Sequence, residues 1–158
     1  MNTHLTTVHV DASTAYDILI GDGLISQIGT LMSKLFGART TAVITDTTVQ
    51  ALYAETVEKS LRDAGFTVMT HAFSAGEQHK NWNTLGEILE ALASLPLTRT
   101  DMVVALGGGV PGDVAGFASA IYARGVRFVQ VPTTLLAAVD SSVGGKTAVD
   151  LENGKNLA

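Results

Sequence analysis

Apolar residues along the chain follow two alternating spacings, which predict strands and helices in turn. Residues 41–46 form a nearly continuous apolar, β-branched run, as expected for a strand that is covered on both faces. Residues 66–73, 102–106 and 127–131 form three similar runs. Because helical spacing separates these runs, the order β-α-β-α-β-α-β predicts a parallel sheet wrapped by helices.

The predicted helices each carry an apolar stripe, which includes Leu35 in the first helix and Leu52 in the second. Thr47 or Thr48 is the expected N-cap of the second helix. The last helix begins at Pro111, whose missing N–H breaks no helical bond in a first turn. The four predicted helices span residues 24–35, 49–61, 82–95 and 111–123.

Two short strands at the N-terminus, residues 5–10 and 16–20, are joined by a polar turn at 11–14. We expect this antiparallel pair to extend one edge of the main sheet. The predicted fold class is therefore α/β, with a Rossmann-like, mostly parallel sheet, helices on both faces and an N-terminal antiparallel strand pair. Residues 1–158 are predicted to form one domain.

The composition limits the classes of function. Of 158 residues, 46% are hydrophobic and 16% are charged, and the net charge is −5. The chain carries no basic surface for nucleic acid, no apolar run near the roughly 18–20 residues that cross a bilayer, and no signal peptide. We therefore expect a cytoplasmic protein that binds neither nucleic acid nor membrane. The absence of cysteine excludes disulfides and a thiolate nucleophile.

A glycine-rich turn follows the predicted strand at 102–106. The sequence GGGVPGD places Gly107, Gly109 and Gly112 in the spacing of a dinucleotide-binding turn between a strand and a helix. The turn does not lie on the first β/α unit, and Gln130 rather than an acid stands about twenty residues further on. We interpret it as a phosphate-binding turn; a turn that only permits close packing is the alternative.

Two aspartates near this edge of the sheet have two readings each. Asp113 lies in the first turn of the predicted helix, where it either complements the helix dipole or binds a cofactor. Asp46 ends a buried strand, where it either caps the next helix or binds ribose hydroxyls. The sequence leaves both choices open.

Charged residues gather in two further segments. Glu77 and Lys80 lie three positions apart on a predicted turn, where a solvated ion pair is the ordinary arrangement. Asp140 and Lys146 flank serines and glycines at a density that favours a binding site over a plain loop. This second segment is not a P-loop, because Asp140 stands where that loop requires glycine. The four histidines, His4, His9, His71 and His79, show no metal-binding spacing.

Taken together, the segments 76–80 (GEQHK), 107–113 (GGGVPGD), 122–150 and 154–156 (GKN) resemble the 3-dehydroquinate synthase family of sugar phosphate cyclases. The resemblance implies a phosphorus–oxygen lyase of the shikimate pathway, hence of aromatic amino acid biosynthesis. Its substrate would be 3-deoxy-D-arabino-heptulosonate 7-phosphate, converted to 3-dehydroquinate and phosphate. NAD would be the catalytic hydride carrier. Zinc or cobalt would be bound by a C-terminal domain that this chain lacks, so the isolated chain is expected to be inactive.

The resemblance also assigns residues. Those assigned to NAD are Asp46, Gly76, Glu77, Lys80, Gly108, Gly109, Val110, Asp113, Thr133, Thr134, Lys146 and Lys155. Those assigned to the substrate or the cleft between domains are Arg124, Asp140, Lys146 and Asn156. Arg124 would serve a neighbouring subunit of a homodimer. Pro111 stands where the family has an aliphatic residue, and it removes one backbone donor from the turn. The alternatives are a sister cyclase, an inosose or valiolone synthase, and a stand-alone nucleotide-binding module.

Overall fold

The computed structural model describes residues 5–12 and 14–158, which form two sheets and the helices that cover the larger one. His4 and position 13 of the predicted 11–14 turn lie outside the described residues. The strands are β1 Thr6–Val10, β2 Tyr16–Ile20, β3 Thr40–Asp46, β4 Thr67–Phe73, β5 Met102–Gly107 and β6 Arg127–Pro132. The α-helices are α1 Ile28–Phe36, α2 Thr47–Val49, α3 Glu55–Asp63, α4 Trp82–Ala93 and α5 Gly109–Ile121.

Shorter helical pieces extend this frame. A π-helical segment, Gln50–Ala54, joins α2 to α3, and a second one, Ala137–Ser141, follows β6. Single 3₁₀ turns lie at Leu24–Gln27, Glu77–His79 and Tyr122–Arg124. Within the described ranges, no helix combines the length and the apolar character needed to span a bilayer.

The main sheet has four parallel strands in the order β4-β3-β5-β6. The order reverses between β3 and β5, where Ile44 pairs with Ala105. In open α/β sheets, this reversal opens a crevice at the carboxyl ends of the two strands, which is where ligands bind. Strands β1 and β2 pair only with each other, as a separate antiparallel sheet. The expectation that they extend an edge of the main sheet is wrong.

The core lies on both faces of the main sheet, because successive strand residues point to opposite sides. Val43 and Val104 are fully buried in one cluster with residues of α1 and α3. Ile44 and Val103 are fully buried in the other cluster with residues of α4 and α5. The predicted architecture of helices on both faces is thereby confirmed.

The predicted boundaries differ from the structure around the second helix. Asp46 is its N-cap, since one carboxylate oxygen accepts hydrogen bonds from the backbone N–H of Thr48 and of Val49, both at 2.9 Å. The expected cap at Thr47 or Thr48 is therefore wrong. Leu52 is 63% exposed, because the π-helical segment widens the turn and rotates this residue away from the core.

Two other expectations about helices also need correction. Leu35, assigned to the apolar stripe of the first helix, is 60% exposed at the end of α1. Helix α5 begins at Gly109, two residues before the predicted start, and ends at Ile121. Tyr122 and Ala123, which the sequence assigned to the end of this helix, do not continue it. Tyr122 has an extended ψ of 129°, and Ala123 has a φ of 49°.

A buried aspartate ties the starts of the two central strands together. One carboxylate oxygen of Asp101 accepts the Thr98 N–H at 2.6 Å and the Thr98 hydroxyl at 2.8 Å, and the other accepts the Thr40 N–H at 3.2 Å. Burial by itself raises the pKa of Asp101, but these hydrogen bonds and the nearby Arg39 guanidinium lower it below 3.8 overall. The ionised form therefore stabilises the fold.

We expect this aspartate to contribute to acid unfolding. Since the folded-state pKa of Asp101 lies below its value in the unfolded chain, the stabilisation is present above 3.8 and disappears as the pH falls through the folded-state pKa. Asp101→Asn should lower the free energy of unfolding at neutral pH by about 2 kcal/mol. It should also flatten the loss of stability as the pH falls below about 5. Urea unfolding across this range measures both effects; equal slopes for the two proteins would contradict the assignment.

Candidate functional site

The glycine turn lies at the point where the strand order reverses. Strand β5 ends at Gly107, Gly108 is the N-cap of α5 in an extended conformation, and Gly109 opens the helix. The first N–H groups of a helix have no partner within the helix. In the described part of the chain, no group accepts a hydrogen bond from the backbone N–H of Gly108, Gly109 or Val110. These three donors can therefore receive an anion, helped by the positive end of the helix dipole.

Close packing explains the first glycine of this turn and defines the wall that faces the other two. A Cβ on Gly107 would lie 2.5 Å from Cγ of Pro111, which is closer than real Cβ contacts allow. A Cβ on Gly108 would lie 3.5 Å from Cγ2 of Thr134, and one on Gly109 would lie 3.5 Å from Oγ of Ser141. Thr134 and Ser141 therefore form the wall that faces the turn, and side chains larger than hydrogen would narrow it.

The Ser141 hydroxyl offers a further donor beside the glycine turn. Its Oγ atom is buried and has no hydrogen-bond partner among the described residues, although buried hydroxyls are nearly always paired. The atom lies beside Gly109, next to the unpaired backbone donors. A phosphate oxygen in this space would accept a hydrogen bond from the hydroxyl. The sequence alone does not distinguish Ser141 from its neighbour Ser142.

The two threonines after β6 hold this wall in place. The Thr133 N–H donates to the Gly107 carbonyl at 2.9 Å. The Thr134 hydroxyl accepts the Ala137 N–H at 3.2 Å and so caps the helical segment that ends at Ser141. The structure therefore brings both threonines next to the glycine turn, as the proposed nucleotide contacts require.

Lys80 is not on the surface. It is 4% exposed, and its ammonium contacts the Asp113 carboxylate and the Asn156 side-chain oxygen. Glu77 pairs instead with Lys155, whose Nζ donates to it at 3.0 Å. The expected solvated pair between Glu77 and Lys80 is therefore wrong. The 3₁₀ turn between them sends the two side chains to different partners. The hydrogen bond and charge of Glu77 raise the pKa of Lys155.

The placement of Asp113 also needs correction. Because α5 begins at Gly109, Asp113 lies in the second turn and not in the first. Helical side chains lean toward the N-terminus, so its carboxylate still lies near the glycine turn. There it is bound by Lys80 rather than by the first amides of the helix.

Of the remaining predicted site residues, four lie near the glycine turn or the end of β3, and Arg124 lies apart from them. Asp140 and Lys146 form an ion pair whose side chains are both 56% exposed, one residue away from Ser141. The Asp46 carboxylate caps α2, and the end of β3, where Asp46 lies, is beside β5. Gly76 precedes the turn that carries Glu77. Arg124 is exposed beyond the far end of α5, about 20 Å from the glycine turn. The structure does not bring it to the other site residues.

Tyr16 reaches this region from β2, which the sequence did not predict. Its hydroxyl oxygen accepts the Gly144 N–H at 2.9 Å, across 128 residues of chain. Gly144 and Gly145 have φ values of 87° and 68°, which glycine adopts readily. The N-terminal strand pair therefore helps to hold the loop that carries Lys146.

We expect Tyr16→Phe to loosen this loop without unfolding the protein. The change removes one exposed hydrogen bond, which costs about 1 kcal/mol or less of global stability. Exchange of the Gly144 amide hydrogen should become several-fold faster, as measured by NMR. Tyr53→Phe, on the π-helical segment that follows α2, is the matched control. An unchanged exchange rate at Gly144 would contradict the role of Tyr16.

Among residues 5–12 and 14–158, no group of three His, Cys, Asp or Glu side chains could hold a metal ion. The side chains of His9 and Asp17 contact each other at 2.8 Å on the exposed strand pair. The described residues therefore do not fit a metal cofactor. They fit the phosphates of a nucleotide, because the unpaired backbone donors and the Ser141 hydroxyl can donate hydrogen bonds to phosphate oxygens.

Comparison with known proteins identifies the family. The model of the N-terminal domain of 3-dehydroquinate synthase matches residues 70–158. The chain belongs to the 3-dehydroquinate synthase family. It is 48% identical over 143 residues to the 3-dehydroquinate synthase of Clostridium acetobutylicum, which covers 90% of this chain and 40% of that protein. It is 51% identical over 154 residues to the 3-dehydroquinate synthase of Paracoccus denitrificans, and the match covers 97% of this chain and 42% of that protein. The chain thus spans about two fifths of the length of the curated relatives it matches.

Solved structures of sister cyclases share the fold. A 2-deoxy-scyllo-inosose synthase superposes with a TM-score of 0.88 at 29% identity, covering 97% of this chain and 43% of that one. The valiolone synthase ValA of Streptomyces hygroscopicus, solved with NAD⁺ and Zn²⁺, gives a TM-score of 0.82 at 29% identity, covering 96% and 41%. A 2-deoxy-scyllo-inosose synthase has also been solved with carbaglucose-6-phosphate, NAD⁺ and Co²⁺.

Proposed function

We propose that this chain is the NAD-binding part of a 3-dehydroquinate synthase. The observation that carries the proposal is the set of unpaired backbone donors on Gly108, Gly109 and Val110 beside the buried Ser141 hydroxyl. A pyrophosphate group would accept hydrogen bonds from these donors at the positive end of α5. NAD bound there would supply a reversible hydride acceptor for a hydroxyl of the substrate.

The chain's own residues would bind and orient the two ligands. Thr134 and Ser141 would form the wall against the pyrophosphate, and the end of β3 at Asp46 would lie beside a ribose. The Asp140–Lys146 ion pair is exposed, so Lys146 is accessible to a sugar phosphate, for which an ammonium is an apt partner. Arg124 would act in a neighbouring subunit, since it lies away from the other site residues in its own chain.

The degree of identity favours 3-dehydroquinate synthase over the sister cyclases. The chain is 52% identical to the 3-dehydroquinate synthase of Caulobacter vibrioides, against 29–30% for the inosose and valiolone synthases. The corresponding substrate is 3-deoxy-D-arabino-heptulosonate 7-phosphate, and the products are 3-dehydroquinate and phosphate. Metal ligands for this reaction would come from residues of a longer protein, and we expect no phosphate release from the 158-residue chain alone.

Two measurements test this proposal. Calorimetric titration of the chain with NAD should show binding, weaker than low micromolar because part of the cofactor site would lie outside the chain. Failure of both NAD and pyrophosphate to bind would contradict the nucleotide site.

In a longer protein that carries this chain, phosphate release should be fastest with 3-deoxy-D-arabino-heptulosonate 7-phosphate. A preference for a sugar phosphate of the sister cyclases would instead assign the chain to one of them.

A further inference from the structure

The C-terminal segment, from Val149 to Ala158, forms a short hairpin whose two limbs differ in length. Its outer pair, Val149 and Ala158, exchanges backbone hydrogen bonds at 2.8 and 3.4 Å. Its inner pair, Leu151 and Gly154, exchanges them at 2.9 and 3.1 Å. Between the two pairs, the first limb has one residue, Asp150, and the second limb has three. The second limb therefore forms a β-bulge, an arrangement that redirects side chains and is common beside active sites.

The bulge carries two of the predicted site residues, Lys155 and Asn156. The Lys155 ammonium donates to the Glu77 carboxylate at 3.0 Å. The Asn156 side-chain oxygen accepts a hydrogen bond from the Lys80 ammonium. Both contacts reach the turn between β4 and α4. Because consecutive residues of a regular strand point to opposite faces, a ladder without the bulge would not direct both side chains to this turn.

Asp150 closes the bulge from the other limb. Its carboxylate accepts the Asn156 N–H at 2.8 Å, in the place of a carbonyl of a regular ladder. Its own N–H donates to the Lys80 carbonyl at 2.8 Å, which fastens the first limb to the same turn. Asn156 has a φ of 55°, a left-handed conformation that is uncommon outside glycine, although asparagine tolerates it better than most residues. Such a conformation persists where surrounding contacts fix it, and the Asp150 carboxylate contacts the N–H of this residue.

We propose that Asp150 is a positioning residue: its carboxylate oxygen fixes Asn156 in the bulge and thereby presents Lys155 and Asn156 to the ligands of the candidate site. The proposal rests on the nucleotide and substrate sites proposed above and deepens them. The role requires an acceptor oxygen and not a negative charge. The competing role is electrostatic, because the hydrogen bond and charge of Glu77 raise the pKa of Lys155 and the Asp150 charge adds to this effect.

Two substitutions at Asp150 separate these roles, since asparagine keeps an acceptor oxygen and loses the charge. In Asp150→Ala, calorimetry of the 158-residue chain with NAD should show an affinity about three- to tenfold lower, the equivalent of one hydrogen bond. In Asp150→Asn, the affinity should stay within about twofold of wild type. Glu152→Ala, at the exposed tip of the same hairpin, removes the same charge. It is the matched control and should leave the affinity unchanged.

Hydrogen exchange measured by NMR reports on the bulge without any ligand. The Asn156 backbone amide should exchange at least about tenfold faster in Asp150→Ala, and within about threefold of wild type in Asp150→Asn. The Tm should fall by no more than about 4 °C in either variant, because the lost hydrogen bond is exposed. A role limited to global stability would lower the Tm further, so a larger fall would overturn the proposal.

The remaining outcomes also decide the role of Asp150. If Asp150→Asn binds NAD as weakly as Asp150→Ala, the charge matters rather than the acceptor, and the proposal is overturned. Unchanged NAD affinity or unchanged Asn156 exchange in Asp150→Ala would overturn it as well. If Asp150→Ala does not fold, Asp150→Asn decides, because a loss of NAD affinity in it contradicts the role of the acceptor oxygen. If wild type binds neither NAD nor pyrophosphate, the proposed function is wrong, and the Asn156 exchange rates alone decide the role of Asp150.

Discussion

Gly29→Ala is expected to cause a large loss of stability through a single added methyl group. A Cβ at Gly29 would lie 1.9 Å from the backbone carbonyl oxygen of Ser60. The two helices involved, α1 and α3, touch here, and the Gly29 N–H also donates to the Ser60 hydroxyl at 3.1 Å. Since neither backbone can rotate away, the helices must separate. We expect a loss of about 3 kcal/mol in the free energy of unfolding, and a fall in Tm of about 10 °C.

Gly86→Ala is the matched control. Gly86 also lies inside a helix, α4, but a Cβ there meets nothing within 4 Å. Alanine should stabilise this helix by about 0.5–1 kcal/mol, because it loses less backbone entropy on folding than glycine does. The free energy of unfolding, measured by thermal and urea unfolding, should therefore fall in Gly29→Ala and rise in Gly86→Ala. A loss at Gly29 no larger than about 1 kcal/mol would show that the helices adjust without cost.

The contrast between these glycines shows which part of the fold can be predicted from the sequence. The apolar runs and their spacing correctly predicted the parallel strands, and the helices on both faces followed from the alternation of strand and helix. The close approach of α1 to α3 at Gly29 leaves no such pattern, since it depends on residues 31 positions apart. Leu52 was misplaced because a π-helical segment changes the angular period on which the prediction rests.

The candidate site divides in the same way. The glycine turn and the end of β3 could be predicted, because a strand that runs into glycines and then a helix start is a local pattern. The pairing of Lys80 with Asp113 and Asn156 could not, because it joins three distant segments, and local spacing favoured Glu77 as the partner. Ser141 and Tyr16 are recognised only in the structure. The Ser141 hydroxyl is buried without a hydrogen-bond partner, and the Tyr16 hydroxyl accepts a hydrogen bond from the distant Gly144 amide.

Removing one backbone donor from the glycine turn is expected to weaken nucleotide binding strongly while preserving the fold. Gly109 is the first residue of α5, the position at which proline is most readily accepted. Gly108 before it is extended, with φ −78° and ψ −157°, and so lies outside the helical region that a following proline disfavours. Gly109→Pro therefore deletes one N–H with little expected loss of stability. Because a hydrogen bond to a charged group contributes about 1.5–3 kcal/mol, affinity for NAD and for pyrophosphate should fall at least about tenfold.

Gly109→Ala separates the lost donor from the added volume. Alanine keeps the N–H and places a Cβ 3.5 Å from the Ser141 oxygen, an ordinary contact. Calorimetry should show affinity in Gly109→Ala within a few-fold of wild type, and a much larger loss in Gly109→Pro. Equal losses in both variants would mean that added volume, and not the missing amide, blocks the ligand. No loss in either variant would contradict a phosphate contact with the Gly109 amide at the start of α5.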